Sequence, residues 1–200
     1  MMFGTPPPLS LYIHLPWCLR KCPYCDFNSH VSRLDLNFSQ YRQALLADLE
    51  QERPLVADRR ISSVFIGGGT PSLFPPDEIA ALLDGICARL PATPNLEVSL
   101  EANPGTLEAA NYDGYRVAGV NRLSIGVQSF SAECLQALGR IHGPDEAVKA
   151  VEQARRAGFE RLNLDLMFAL PVQSKQLAKD DLHTAISLSP SHISYYQLTI

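Results

Sequence analysis

Three thiols lie close together near the start of the chain, in Trp17-Cys18-Leu19-Arg20-Lys21-Cys22-Pro23-Tyr24-Cys25. The spacing of Cys18, Cys22 and Cys25 is C-x3-C-x2-C, so one short loop can supply three thiolates. A structural zinc site closes with four ligands, and an ordinary iron–sulfur electron carrier uses four cysteines per [4Fe-4S] cubane. A cubane held by three cysteines leaves one iron open to an outside ligand. The rival readings are three unrelated thiols, or half a zinc site completed from elsewhere by His14 or His30. The gaps fit zinc patterns poorly.

A second candidate is the glycine-rich run Phe65-Ile66-Gly67-Gly68-Gly69-Thr70-Pro71-Ser72, directly after a strand pattern. Three glycines let a backbone approach a ligand closely and reach conformations closed to other residues. The run lacks the Lys-Ser/Thr ending of a phosphate-binding P-loop and the G-x-G-x-x-G spacing of a dinucleotide site. Taken alone it reads as a tight structural turn.

These loops sit within an alternating pattern of short β-rich runs and longer amphipathic segments. Strands are expected at Leu9–His14, Ser63–Ile66, Leu96–Glu101, Arg122–Gly126, Arg161–Met167 and His192–Ile200. Helices are expected at Asn37–Glu52, Pro76–Leu90, Thr106–Ala118, Ser131–Leu138 with Pro144–Ala157, and Leu177–Leu188. Tyr41, Leu45, Leu46 and Leu49 recur at helical spacing and give one apolar stripe. Asp77 and Glu78 suit the positive end of their helix, and Gly119 and Gly158 follow two helices as C-terminal caps.

Six βα repeats predict an α/β fold, a parallel sheet with right-handed crossovers and helices outside, as in an open partial TIM barrel. In such folds the carboxyl ends of strands carry the chemistry. Polar or small residues gather there: His14 to Cys18, Gly67 to Thr70, Glu101 to Pro104, Gln128 and Asp165. No linker or low-complexity segment divides the chain, so residues 1–200 read as one domain. Leu198-Thr199-Ile200 stops within the sixth strand pattern with no helix after it, which predicts either a cut chain or a short gene product.

The bulk properties exclude several classes. With 17 Lys and Arg against 21 Asp and Glu, the net charge is −4, so no basic excess points to nucleic acid. No apolar run is long enough for an integral membrane segment. Met1-Met2-Phe3-Gly4-Thr5-Pro6-Pro7-Pro8 lacks the cationic start and apolar core of a secretory signal. Five cysteines is an odd count, and three crowd one loop, which suits a reducing cytoplasm better than a disulfide framework. Cys87 and Cys134 fall within helical patterns and are expected to be small buried hydrophobes.

Six segments run in the order of a known family: Tyr12-Ile13-His14-Leu15-Pro16-Trp17-Cys18, the cysteine loop, the Gly67–Ser72 turn, Glu101-Ala102-Asn103-Pro104-Gly105, Gly126-Val127-Gln128-Ser129-Phe130 and Leu138-Gly139-Arg140-Ile141-His142. Together they resemble the coproporphyrinogen-oxidase-type branch of radical S-adenosylmethionine (SAM) proteins, from Leu9 to Ile200, as the family's catalytic half. The resemblance implies a [4Fe-4S] cluster on Cys18, Cys22 and Cys25, chelated at its open iron by SAM. It implies that Tyr12 contacts the bound cofactor and that Tyr24 packs near its adenine. Gly68, Gly69 and Thr70 would hold the methionine amino group. Glu101, Gln128 and Asp165 would serve the ribose and amine, and Arg140 the cofactor carboxylate. Read singly, Glu101 could cap a helix, Arg140 could be a solvated cation and Gln128 could satisfy strand-end backbone groups.

Two departures bear on function. The oxidase proper carries a further cysteine two places after Cys25, where this chain has Phe27. Cys25-Asp26-Phe27-Asn28-Ser29 instead resembles the heme-chaperone group of the branch, which binds heme and delivers it to acceptor proteins. Met167-Phe168-Ala169-Leu170-Pro171-Val172-Gln173 carries Ala169 and Val172 where the family has glycines, and a β-branched residue fits poorly at positive φ. The resemblance therefore implies a heme chaperone, with heme or porphyrin as a further ligand and an electron donor for the cluster. An oxygen-independent coproporphyrinogen III oxidase, acting through a 5′-deoxyadenosyl radical, is the alternative. An inactive fragment, lacking the family's C-terminal domain, is the third reading.

Overall fold

The computed structural model describes residues 6–32, 36–56, 58–105 and 109–199. Its strands show why the sheet is parallel. On Arg161–Phe168, Leu162, Leu164 and Leu166 are buried, and so are Asn163 and Met167 on the alternate face, with Asp165 half-buried. A strand with no fully solvated face belongs in a sheet enclosed on both sides. The three leucines join the main apolar core with Ala147, Ala150, Val151 and Ala154 of a flanking helix. The intervening residues are left for the inner face, where Asp165 and Met167 line a cavity.

In chain order the elements are β1 (Leu9–Leu15), β2 (Trp17–Cys18), β3 (His30–Val31), α1 (Phe38–Val56), β4 (Ile61–Gly68), a 3-10 turn at Pro71–Leu73, and α2 (Pro76–Cys87). There follow β5 (Ala92–Ala102), α3 (Tyr112–Val117), β6 (Arg122–Gln128), α4 (Ala132–Ala137), α5 (Pro144–Arg156), β7 (Arg161–Phe168), α6 (Lys175–Ser187) and β8 (His192–Gln197). The main sheet runs β1-β4-β5-β6-β7-β8 and every adjacent pair is parallel. Sequential order with helical crossovers is the winding of a TIM barrel stopped short, here an open partial barrel of six strands. All six expected strands are present. Residues 106–108 of the expected helix Thr106–Ala118 and Ile200 of the expected last strand lie outside the described residues, as do Met1 to Thr5.

Local signals behave as their chemistry dictates. Gly119 (φ 104°) and Gly158 (φ 84°) are left-handed just past α3 and α5, as C-terminal caps. Tyr41, Leu45, Leu46 and Leu49 of α1 pack half-buried on the core. Cys134 is buried, whereas Cys87 is exposed, correcting the expectation for that residue. The inward face of α2 is Ile79, Leu82, Leu83 and Ile86. Cys87 lies one residue, about 100° of rotation, past Ile86 and so faces away from the core.

The turn after β7 keeps the backbone that glycines would favour: Ala169 has φ 57° and Val172 φ 59°. Each Cβ in this region costs on the order of 1–2 kcal/mol. Gln173 holds the turn together. Its Oε1 accepts from the Leu170 N–H at 3.2 Å, its own N–H donates to the Leu170 carbonyl at 3.1 Å, and its Nε2 reaches Asp181 Oδ2 at 3.2 Å. Asp181, buried on α6, also accepts from Ser129 Oγ and from the Phe130 N–H at 2.6 Å, so one carboxylate ties the loops after β6 and β7 together.

Candidate functional site

The cysteine loop is closed by the two-residue ladder between β2 and β3. The His30 N–H donates to the Pro16 carbonyl and the Ser32 N–H to the Cys18 carbonyl, both at 2.7 Å. Lys21 Nζ spans the loop to the carbonyls of Phe27 and Ser29 at 3.2 and 3.3 Å. His14 Nε2 lies 2.8 Å from the Asn28 carbonyl, and only an N–H can donate there, so Nδ1 accepts from the Tyr12 hydroxyl at 2.9 Å. Both nitrogens of His14 are engaged, which removes it as a metal ligand in this conformation. Among the described residues no three Cys, His, Asp or Glu side chains converge on a single-ion site. Mononuclear zinc needs that convergence, whereas each thiolate of a cubane binds its own iron.

The glycine run has a structural cause. Gly69 and Thr70 donate N–H bonds to the carbonyls of Leu15 and Trp17 at 2.8 and 2.7 Å, extending the β1–β4 ladder to the cysteine loop. A Cβ on Gly68 (φ 122°) would stand 2.8 Å from the His14 ring, and one on Gly69 would stand 2.6 Å from the Trp17 carbonyl oxygen. Glycine is what lets the two loops touch. Thr70 is buried, and its Oγ1 accepts from Asn103 Nδ2 at 3.1 Å.

Cys18, Cys22 and Cys25 all line one cavity of about 450 Å3, together with Tyr24, Gly68, Gly69, Thr70, Glu101, Gln128, Arg140 and Asp165. That volume is in the range of small-molecule sites, roughly 300–1,000 Å3. Nearly all the residues singled out in the sequence thus meet at the carboxyl ends of the strands. Tyr12 is the exception: it is 56% exposed, stacks on Phe65 and does not line the cavity. Glu101 is not a helix cap here. Its Oε2 accepts from the Gly68 N–H at 3.0 Å, and burial, with Asp165 nearby, pushes its carboxyl up to about 7. Asp165 Oδ2 accepts from Ser124 Oγ at 2.7 Å and its Oδ1 from Asn163 Nδ2 at 2.8 Å.

Gln128 is buried at the end of β6 with φ 68°, after a register irregularity in the β6–β7 ladder. Non-glycine residues held there mark sites where the surroundings impose the conformation. Its Oε1 accepts from the Tyr196 hydroxyl at 2.7 Å; burial raises the Tyr196 pKa, keeping the phenol a donor. Arg140 is half-buried rather than solvated: Nη2 donates to Asn103 Oδ1 at 2.7 Å and to the Gly126 carbonyl at 2.8 Å. Burial pushes Tyr24 up to about 12, and the side chain packs against the small apolar cluster of Cys134, Leu138, Met167, Leu170 and Leu198. Sequence reasoning missed Asn103, Ser124, Asn163 and Tyr196 as partners. Asn163 and Asp165 share a strand face and could be paired on that ground.

The sequence matches the Radical SAM superfamily over residues 12–185. The chain belongs to that family. The heme chaperone HemW of Escherichia coli (strain K12) is 54% identical over 194 residues, 97% of this chain and 51% of that protein. The mitochondrial radical S-adenosyl methionine domain-containing protein 1 of Danio rerio is 42% identical over 191 residues, 96% of this chain and 43% of the relative. The solved structure of coproporphyrinogen III oxidase (HemN) from Escherichia coli, a radical SAM enzyme, matches with TM-score 0.85 and 32% identity, over 96% of this chain and 44% of that one. The chain spans about half the length of the curated relatives it matches.

Radical SAM membership implies a [4Fe-4S] cluster and SAM, and the residues present fit both. The three loop cysteines are unpaired thiols on one wall of the cavity, an all-sulfur donor set suited to iron–sulfur chemistry. Carboxylate, amide and guanidinium groups line the same cavity, the complement of a zwitterionic ligand with hydroxyls. Among the described residues no helix is long and apolar enough to cross a membrane.

Proposed function

We propose that this chain is the cluster- and SAM-binding part of a heme chaperone, a protein that binds heme and passes it to acceptor proteins. The observation that carries this furthest is the 54% identity to a heme chaperone over nearly the whole chain. Phe27 supports it, placing an exposed aromatic ring at the cavity where the oxidase carries a thiol. In this reading Cys18, Cys22 and Cys25 hold the cluster, and Gly68, Gly69 and Thr70 receive the methionine amino group. Glu101, Gln128 and Asp165 bind the ribose and amine, Arg140 the carboxylate, and Tyr24 flanks the adenine. Tyr12 would reach the cofactor through a change from its exposed position. A cluster held there and reduced by an electron donor would supply one-electron chemistry to SAM bound beside it. Five unpaired cysteines accord with a reducing cytoplasm.

The likeness to the oxidase structure favours a second reading, decarboxylation of coproporphyrinogen III. The two separate in one assay. The cluster-loaded chain, and the longest reading frame containing it, are given coproporphyrinogen III, SAM and a strong reductant without oxygen. We expect no protoporphyrinogen IX from either, with saturable heme binding by the longer protein in a parallel optical titration. Decarboxylated product at catalytic yield would replace the chaperone with the enzyme.

A further inference from the structure

Arg140 reaches the cysteine loop directly. Its Nη1 lies 3.5 Å from Cys22 Sγ, while Nη2 is fixed by the Asn103 side chain and the Gly126 carbonyl at 2.7 and 2.8 Å. Asn103 is itself held, since its Nδ2 donates to the buried Thr70 hydroxyl at 3.1 Å. The fork is therefore clamped on one side and directed at a sulfur on the other. Among the described residues no carboxylate forms an ion pair with Arg140, so its charge is presented to that thiol without a salt-bridge partner. A guanidinium carries five N–H donors. These bonds use three of them, and Tyr24 hydrogen-bonds to the same guanidinium.

We propose that Arg140 sets the reduction potential of the cluster through an N–H···S bond to Cys22, and that Asn103 is the positioning residue that aims it. The inference rests on the cluster reading above and deepens it. It gives Arg140 a role that exists before any cofactor carboxylate arrives. A hydrogen bond to a ligating sulfur, with a positive charge beside it, favours the reduced and more negative cluster. That suits a site that must accept an electron before its ligand can react.

The test is a mediated redox titration of the reconstituted chain without SAM, with dithionite as reductant and electron paramagnetic resonance as readout. At the potential where the parent cluster is half reduced, Arg140→Gln should lower the reduced-to-oxidised ratio about tenfold, equivalent to about 59 mV for one electron. Arg140→Lys keeps the charge without the planar fork and should fall between. Asn103→Ala, which leaves the arginine in place but unclamped, should shift the ratio in the same direction by less. Equal ratios in the parent and Arg140→Gln would overturn the proposal, even if SAM affinity fell, because that pattern assigns Arg140 to the cofactor alone. Should Arg140→Gln fail to hold a cluster, unchanged ratios in both Arg140→Lys and Asn103→Ala would overturn it instead. A parent chain that assembles no cluster overturns the cluster reading and this one together.

Discussion

Replacing Cys22 with serine should abolish iron–sulfur absorbance after anaerobic reconstitution, whereas Cys87→Ser should leave it at the parent level. The parent should take up about four irons per chain, the content of a cubane held by three thiolates. The contrast follows from position. Cys22 lines the cavity with Cys18 and Cys25, while Cys87 is exposed at the far end of α2 and lines no part of it. Serine at position 22 removes the sulfur that Arg140 faces and substitutes a hydroxyl that does not ionise near neutral pH. Iron content and the visible charge-transfer bands read the outcome directly. Equal loss in both variants would show that the ligands are not the loop thiols.

Glu101→Gln should stabilise the cluster-free, SAM-free protein at alkaline pH by about 2–3 kcal/mol, and by much less at pH 5, since a tenfold change in proton affinity is worth about 1.4 kcal/mol. The carboxyl titrates at about 7 in the folded protein against 4.5 in the unfolded chain. The folded state therefore holds the extra proton between those values, and stability falls as pH rises through that window. Glutamine can still accept from the Gly68 N–H but carries no charge to bury. His142 works in the opposite sense. Burial, with the Arg140 charge beside it, lowers it to about 4 from 6.5, and Nε2 lies 3.1 Å from the Val127 carbonyl. Its neutral form contributes stability that is present above 6.5 and lost on acidification towards 4. The two slopes oppose each other between 4.5 and 6.5, so the parent profile should be nearly flat there. Removing Glu101 should expose the His142 slope, with stability rising from about pH 4 to 6.5 and then levelling. Urea denaturation at about pH 5, 6.5 and 8 checks this, and a variant-to-parent difference that is constant across pH would contradict it.

Much of this is legible in the chain because two strong signals coincide. Apolar runs ending in Glu101, Gln128 and Asp165 announce parallel strands whose carboxyl ends share a site, and the structure brings those ends to one cavity. The cysteine spacing places three thiols in one short loop without any fold information, and all three line that cavity. What escapes has no one-dimensional signature. The β2–β3 pairing is two residues long, too short for any periodicity, and depends on Trp17 meeting His30 across the loop. Asn103 and Ser124 act by hydrogen bonds to residues distant in sequence, on Arg140 and Asp165 respectively. The glycine run, read by itself, is open between turn and ligand cradle. The near-contacts of Gly68 and Gly69 with His14 and Trp17 show that packing alone already requires it. Val172 at φ 59° departs from local preference, and the Gln173–Asp181 network next to it shows what holds it there.

Isothermal calorimetry of SAM with cluster-loaded and cluster-free protein tests the shared site most directly. Thiols and strand-end polar groups line a single cavity, so the open iron and the strand ends should act on one ligand together. Saturable binding is predicted for the loaded protein alone, and Asp165→Ala should weaken it by roughly 1–3 kcal/mol, the range for losing a hydrogen bond with a charged group. Equal SAM affinity with and without the cluster, unchanged in Asp165→Ala, would contradict a common site for cluster and cofactor.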